Sequence, residues 1–161
     1  MALVTLALGS NLGDRAENLR RARAALAPDF VISACSPVYE TEPAYVLDQP
    51  RYYNQVCQGT TRLQPLEALR RLKALETQLG RVPGARFGPR LIDLDLLLYD
   101  DLLLDTPELV LPHPRLEERP FVLVPLSDIA PNLIHPRLQV TIAELLARLG
   151  DTHDVIWPVP G

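Results

Sequence analysis

The stretch RFGPRLIDLDLLLYDD, residues 86–101, contains the strand that decides the fold and raises the main question about function. Its second half is apolar enough for a buried β-strand, which we predict over Leu91–Tyr99. Asp93 and Asp95 interrupt that apolar run two residues apart, so they share one face of the strand, with Cα atoms about 6.5–7 Å apart. The alternation predicts two faces, a buried one formed by Ile92, Leu94, Leu96 and Leu98 and a second one formed by Asp93, Asp95, Leu97 and Tyr99.

The segments before this strand complete a recognisable order of elements. Hydrophobic periodicity predicts, in chain order, strand Ala2–Leu8, helix Leu12–Ala27 with its cap at Ser10 or Asn11, strands Phe30–Tyr39 and Tyr53–Arg62, and helix Leu66–Leu79. This β-α-β-β-α-β order is typical of an α+β, ferredoxin-like fold, an antiparallel sheet with helices on one face. We expect the remaining C-terminal extension, with helices near Phe121–Ile129 and Thr141–Leu149, to pack on the same sheet. Residues 1–161 then form a single domain.

Composition narrows the classes of function. The 161 residues are 47% hydrophobic and 22% charged, with a net charge of −4, which is typical of a globular protein and argues against nucleic-acid binding. No apolar run is long enough for a membrane span, and the N-terminus has no basic region before its apolar residues. We therefore expect a cytoplasmic protein that is a monomer or a weak oligomer. Cys35 and Cys57 are interpreted as small buried hydrophobic residues, and we take His135 and His153 to be exposed loop residues.

Two carboxylates on one strand face repel each other unless a positive charge lies between them. A hard divalent cation with oxygen ligands is the best such charge, so Asp93 and Asp95 indicate a Mg²⁺ site of the kind used in phosphoryl transfer. The alternative is a solvent-facing strand whose charges discourage edge pairing. No histidine pair has the spacing of zinc ligands.

The loop before the strand strengthens the metal interpretation. It holds Arg81, Arg86 and Arg90 together with glycines and prolines, and arginine is the residue best suited to binding phosphate oxygens. Cations for phosphate next to carboxylates for Mg²⁺ are typical of a nucleotide site. An ordinary surface loop is the alternative. The chain has one lysine, Lys73, which lies inside a predicted helix, so the site is not a P-loop.

The motif FGPRLIDLDLLLY resembles the signature of the 6-hydroxymethyl-7,8-dihydropterin pyrophosphokinase family of folate biosynthesis. The resemblance extends along the chain through LALGSNLGD, VYETEPAYVLDQPRYYNQV, ETQLGRV, LPHPRLEERPFVLVPL and DIAPNLIHP. It implies a ferredoxin-like fold and a Mg²⁺-dependent transfer of diphosphate from ATP to the pterin hydroxymethyl group, which releases AMP. Two Mg²⁺ ions and ATP are the implied cofactor and co-substrate.

The resemblance also implies a role for individual residues. Asp93 and Asp95 would hold the two Mg²⁺ ions and, with Arg81 and Arg90, form the catalytic set. ATP would be bound by Glu76, Arg86, Arg90, Leu96, His113 and Arg119. The pterin would be bound by Thr41, Pro43, Ala44, Tyr52, Asn54, Phe87 and Phe121, with its ring between the two aromatic residues Tyr52 and Phe121.

Some features depart from the family pattern, and two other classes of function stay open. Pro83 stands where some members have another arginine, and the arginine loop is about one residue shorter. The arginine loop and TEPAYVLDQP are expected to close over the substrates. A ferredoxin-like module that binds a nucleotide without turning it over is the main rival. RNA binding on the sheet face would need exposed aromatic residues with basic neighbours, which the acidic composition disfavours.

Overall fold

The computed structural model describes residues 1–43, 48–80 and 91–160 of the chain. The strands are β1 (Ala2–Ser10), β2 (Phe30–Cys35), β3 (Tyr39–Thr41), β4 (Tyr52–Thr61), β5 (Asp93–Tyr99), β6 (Leu104–Asp105), β7 (Val110–Leu111) and β8 (Ile156–Pro158). The helices are α1 (Arg15–Leu26), α2 (Pro65–Gln78), α3 (Pro120–Ile129) and α4 (Ile142–Leu149), with a short 3-10 helix at Leu116–Glu118.

The main sheet is antiparallel, and its strand order confirms the predicted ferredoxin-like fold. Strands follow the order β5-β1-β4, and β4 pairs on its other side with β2 along one part of its length and with β3 along another. The C-terminal strand β8 extends the sheet beyond β3. The prediction of one continuous strand Phe30–Tyr39 was wrong. The strand divides around Pro37, because proline has no amide hydrogen to donate to the ladder.

A bulge in β5 corrects the predicted faces of that strand. Leu6 pairs with Leu96 but the preceding Thr5 pairs with Leu98, so Leu97 is an extra residue between them. Beyond the bulge the alternation changes phase. Leu98 therefore packs on the same face as Leu97, and Tyr99 packs on the opposite face, where its hydroxyl donates to the Leu63 carbonyl at 2.7 Å.

Helix α1 begins later than predicted. Its N-cap is Asp14, whose carboxylate accepts a hydrogen bond from the Glu17 amide at 3.1 Å, rather than Ser10 or Asn11. Leu12 is consequently 46% exposed and lies outside the buried stripe of the helix. Asn11 is buried and donates to Gln49 Oε1 at 2.9 Å, which fastens the turn after β1 to the segment before β4.

Helices cover both faces of the sheet, whereas one face was predicted. On one face, α1 and α2 pack against β1 and β5 around fully buried residues such as Leu6, Leu72 and Leu94, which we name the α1/α2 core. On the other face, α3 and α4 pack against β4 and β5 around Leu97 and Leu126, which we name the α3/α4 core. The C-terminal extension therefore lies on the same sheet, as expected, but on the face opposite α1 and α2.

Burial also corrects two smaller predictions. His135 is only 2% exposed, and its Nδ1 accepts hydrogen bonds from the Arg137 and Leu138 amides, so it is a structural residue of its turn rather than an exposed one. Cys57 is buried as predicted, but Cys35 is exposed. Among the described residues, every helix is too short or too polar to span a bilayer.

If the chain is one domain, truncations in the two cores should lower the same cooperative transition. Leu72→Ala in the α1/α2 core and Leu126→Ala in the α3/α4 core each remove a fully buried side chain, and each should cost about 2–5 kcal/mol. Urea unfolding would be followed by circular dichroism and by fluorescence of Trp157, the single tryptophan, in β8. The two signals should coincide in both variants; a Trp157 transition shifted by Leu126→Ala alone would mean a separately folding extension.

Candidate active site

The candidate site lies on the sheet face toward α3, where three strands place their polar ends side by side. Gly9 in β1 pairs with Asn54 of β4 on one side and with Asp93 of β5 on the other. Directly opposed residues share a face, so the predicted pterin-binding Asn54 and the predicted metal-binding Asp93 flank a glycine, about 10 Å apart at two strand spacings. Ala7, the next residue of β1 on this face, is also small, and we name Gly9 and Ala7 the β1 floor. Gly9 is buried beneath the Asn54 and Tyr52 side chains, so the β1 floor joins the two sets of residues without a bulky side chain of its own.

Asp93 and Asp95 share this face, as the sequence predicted. Both carboxylates are half-buried, and the alternation of β5 before its bulge keeps them on the side opposite Leu94. The Asp95 carboxylate lies 3.7 Å from the Lys73 ammonium of α2. The sequence analysis uses Lys73 only to exclude a P-loop and does not predict a cation beside the aspartates. Its position at the edge of β5 depends on how α2 crosses the sheet, which no local pattern reveals.

Glu76 is buried against the outer edge of β5. Its side chain accepts a hydrogen bond from the Leu94 amide at 2.7 Å and lies 3.5 Å from the Lys73 ammonium. Because amides alternate in direction along a strand, Leu96 also directs its amide and carbonyl to this edge, while its side chain is buried in the α1/α2 core. The outward amide and carbonyl of Leu96 suit the ATP contact that the resemblance implies for this residue. Through its hydrogen bond to the Leu94 amide, Glu76 holds the backbone of β5 in place.

His113 is placed next to the aspartates by a backbone contact. Its amide donates to the Leu97 carbonyl at 2.9 Å, at the bulge of β5. Burial lowers the pKa of the His113 imidazole from its ordinary value, the negative charge of Asp95 opposes that shift, and the positive charges of Arg119 and Lys73 add to it. His113 therefore shares one electrostatic environment with Asp95 and Arg119, three residues that were predicted to surround ATP.

The predicted pterin-binding residues Thr41, Tyr52 and Asn54 meet where β3 pairs with β4. Thr41 is 2% exposed, pairs directly with Tyr52, and its hydroxyl oxygen accepts a hydrogen bond from the Asn54 amide nitrogen at 2.7 Å. That bond orients the Asn54 amide, and its oxygen lies over Gly9, where an added Cβ would be 2.7 Å away. The Asn54 side chain thus covers Gly9, with its acceptor oxygen above β1.

Helix α3 supplies the opposite wall through its first turn. Phe121 follows Pro120 at the start of the helix, and the Arg119 guanidinium lies 5.6 Å from the Phe121 ring centre. The Tyr39 hydroxyl donates to the Asp128 carboxylate, which ties α3 to β3. A cavity of about 590 Å³ separates the two walls, lined by Thr41, Glu42, Pro43, Arg115, Glu118, Arg119, Pro120, Phe121, Asp154 and Val155.

The cavity wall includes C-terminal residues that the sequence analysis missed. Asp154 and Val155 reach the cavity because β8 pairs with β3, and the Glu42 amide donates to the Val155 carbonyl at 3.0 Å. Neither residue belongs to a motif, and β8 is only three residues long. No signal in the sequence predicts that the last residues return to the site.

Several predicted residues lie outside the described parts of the chain. They are Ala44 in residues 44–47, and Arg81, Arg86, Phe87 and Arg90 in residues 81–90. Their roles, and the closure of these two segments over the substrates, stay predictions.

The carboxylate oxygens at the candidate site are donors of the kind that magnesium prefers. Within residues 1–43, 48–80 and 91–160, His, Cys, Asp and Glu side chains nowhere gather in threes that could hold a metal ion by themselves. Asp93 and Asp95 offer hard oxygen donors from two residues only. Mg²⁺ in nucleotide sites is characteristically held by one or two carboxylates, with water and phosphate oxygens as its other ligands. The pair therefore suits a metal that arrives with a nucleotide.

Comparisons with known proteins identify the family of the chain. Residues 5–131 match the model of the 7,8-dihydro-6-hydroxymethylpterin-pyrophosphokinase family. The 2-amino-4-hydroxy-6-hydroxymethyldihydropteridine pyrophosphokinase of Pseudomonas aeruginosa is 44% identical over 135 residues, which cover 83% of each protein. The folic acid synthesis protein FOL1 of Dictyostelium discoideum is 42% identical over 97% of this chain, but the chain spans only 24% of that protein's length.

A solved structure supports the fold independently. The Plasmodium falciparum HPPK-DHPS structure with pteroate superposes with a TM-score of 0.75 at 17% identity, over 91% of this chain and 42% of that one. The match of the family model to most of the chain, and the identity to the Pseudomonas protein, establish the relationship. The chain belongs to the 7,8-dihydro-6-hydroxymethylpterin-pyrophosphokinase family.

Proposed function

We propose that this chain transfers diphosphate from ATP to the hydroxymethyl group of 6-hydroxymethyl-7,8-dihydropterin, in a Mg²⁺-dependent reaction of folate biosynthesis that releases AMP. The observation that carries the proposal is the row Asn54–Gly9–Asp93 across β4, β1 and β5. This row supports the proposal because residues suited to a heterocycle and residues suited to a metal–phosphate group share one face of the sheet, on either side of Gly9.

The pterin end of the floor combines stacking with an oriented amide. Tyr52 and Phe121 would stack on the flat ring, a contribution of about 0.5–1.5 kcal/mol for each stacked pair beyond burial. The hydrogen bond from the Asn54 amide to Thr41 leaves the Asn54 oxygen to accept from an N–H group on the ring edge. Pro43 is buried and lines the cavity, so it adds apolar contact without competing for hydrogen bonds.

The phosphate end combines carboxylates with cations. Asp93 and Asp95 would hold Mg²⁺, which supplies positive charge to offset the triphosphate oxygens. Lys73 at 3.7 Å from Asp95, together with Arg119 and His113, makes this end of the floor suited to an anion. As predicted from the sequence, Arg81, Arg86 and Arg90 would add charge-assisted hydrogen bonds to the triphosphate oxygens.

The reaction then follows from positioning. The pterin hydroxymethyl oxygen would attack the β-phosphorus of ATP in line and lose its proton to solvent, and a bond would form between them as the bond from the β-phosphorus to the oxygen bridging the α-phosphorus breaks. AMP is the leaving group. Asn54 on β4 and Asp93 on β5, the strands on either side of β1, would orient the two reactants, and the surrounding cations would stabilise the charge of the transferring group, so catalysis would rest on orientation and electrostatics. No side chain in the described part of the chain needs to form a covalent bond.

Asp95→Asn tests the phosphate end because it removes one negative charge and keeps the size of the side chain. Turnover of ATP in the presence of pterin and Mg²⁺ should fall by about 100-fold or more. Asp101→Asn is the matched control, an exposed aspartate in the turn after the same strand, and it should stay within about twofold of the unmodified protein. Turnover that survives in Asp95→Asn would contradict the role of Asp95. ATP binding that survives in Asp95→Asn, with no product from the unmodified protein, would favour a nucleotide-binding module over the proposed enzyme.

Gly9→Ala tests the pterin end. Its Cβ would lie 2.7 Å from the Asn54 amide oxygen, a side-chain tip that can rotate away. The variant should therefore fold normally but bind pterin about tenfold more weakly by isothermal titration, because the acceptor is displaced.

Gly59→Ala is the matched control for that substitution, since it lies in β4 far from the floor. Its Cβ would lie 2.4 Å from the Val31 backbone carbonyl, which cannot rotate away, so this variant should lose about 1–3 kcal/mol of stability and keep its pterin affinity. Unchanged pterin affinity in Gly9→Ala would contradict the assigned role of Asn54.

A further inference from the structure

Cys35 and Cys57 lie directly opposite each other on β2 and β4. The next residue along β2, Ser36, donates its amide to the Val56 carbonyl at 2.9 Å. In an antiparallel ladder this bond marks Cys35 and Cys57 as a non-hydrogen-bonded pair, the kind with the closer Cα atoms, about 4.5 Å apart. That separation is within the range of about 4.4–6.8 Å that a disulfide spans. The register alone therefore places the two sulfur atoms within bonding reach.

The two thiols differ in a way that suits a stepwise reaction. Cys35 is exposed and Cys57 is fully buried in the α1/α2 core. A hydrogen bond from the Cys57 thiol lowers the pKa of Cys35 to about 7, against the effect of partial burial, and the positive charge of Arg23 adds to the lowering. The same contact and burial raise the pKa of Cys57. Cys35 is therefore the accessible thiolate, and Cys57 is a shielded thiol beside it.

We propose that Cys35 and Cys57 form a reversible disulfide by exchange with a low-molecular-weight disulfide of the glutathione class. The Cys35 thiolate attacks one sulfur of the small disulfide, which forms a mixed disulfide and releases one small thiolate. Cys57 gives its proton to solvent and attacks the Cys35 sulfur, which forms the protein disulfide and releases the second small thiolate. Two protein thiols are oxidised, and one small disulfide is reduced to two thiols.

This site is separate from the candidate active site. Cys57 faces the α1/α2 core, whereas Asn54 faces the opposite side of the sheet toward α3. The disulfide would close the chain between β2 and β4 and so enclose β3 and residues 42–51, the hairpin that carries Thr41 and Pro43. Burial as a small hydrophobic residue accounts for Cys57 but not for an exposed Cys35 aligned with it.

The test is a thiol count by intact-mass analysis after equilibration in glutathione buffers of increasing disulfide content and alkylation of the remaining thiols. The unmodified protein should lose both alkylated thiols together. The oxidised protein should carry no alkyl group and no glutathione, and its mass should be about 2 Da below that of the reduced protein before alkylation. Cys57→Ala should instead accumulate one glutathione on Cys35. In the same buffer this adduct should be at least about tenfold more abundant than in the unmodified protein. The reason is that Cys57 of the unmodified protein lies next to the adduct, at high effective concentration, and displaces the glutathione.

Two further variants complete the design. Cys35→Ser should leave Cys57 unmodified, since burial shields it. Cys57→Val places an apolar residue that favours strands at this buried position, and it replaces Cys57→Ala in the test if Cys57→Ala folds poorly by circular dichroism. A stable glutathione adduct on Cys35 of the unmodified protein, a disulfide between two chains, or no reaction in any buffer would each overturn the proposal.

Discussion

The pairing of β1 with both of its neighbours is the constraint on which the rest of the site depends. Gly9 opposes Asn54 on one side and Asp93 on the other, and two residues earlier Ala7 opposes Val56 and Asp95. Because side chains alternate strictly along a strand, a shift of one residue in either pairing would turn one set of polar groups toward the α1/α2 core. The apolar residues of β1, Val4, Leu6 and Leu8, are fully buried in that core and oppose any such shift.

The two faces of the sheet have different roles: one holds the α1/α2 core, and the other holds the α3/α4 core together with the candidate site. The α1/α2 core fixes the register. The Lys73 and Glu76 side chains of α2 contact the backbone of β5 at its outer edge, and Lys73 also contacts the Asp95 carboxylate. The other face is only partly filled, because the α3/α4 core occupies the half of the sheet near Leu97 and Leu98. The cavity lies beside that core, between the end of β3 at Thr41, the first turn of α3 at Phe121 and the residues that lead into β8.

The sequence predicted those parts of the arrangement that follow from a local pattern of residues. Period-two alternation identified β5 and the shared face of Asp93 and Asp95, and leucine spacing identified α2. The bulge at Leu97 was not predictable, since a bulge is set by the mismatch with the partner strand. The pairing of β8 and the approach of Lys73 to Asp95 also depend on contacts between distant residues. The start of α1 is set by a local N-cap, from Asp14 to the Glu17 amide, whereas the sequence analysis placed the cap at Ser10 or Asn11. The residue-level roles within the site came from the family resemblance rather than from periodicity.

The most direct test of the account is the identity of the phosphorus-containing products. ³¹P NMR of the protein with ATP, Mg²⁺ and 6-hydroxymethyl-7,8-dihydropterin separates a transfer of two phosphoryl groups from a transfer of one. The account predicts AMP and a pterin diphosphate in equal amounts, with no build-up of ADP. ADP with a pterin monophosphate, or ATP left intact, would contradict it.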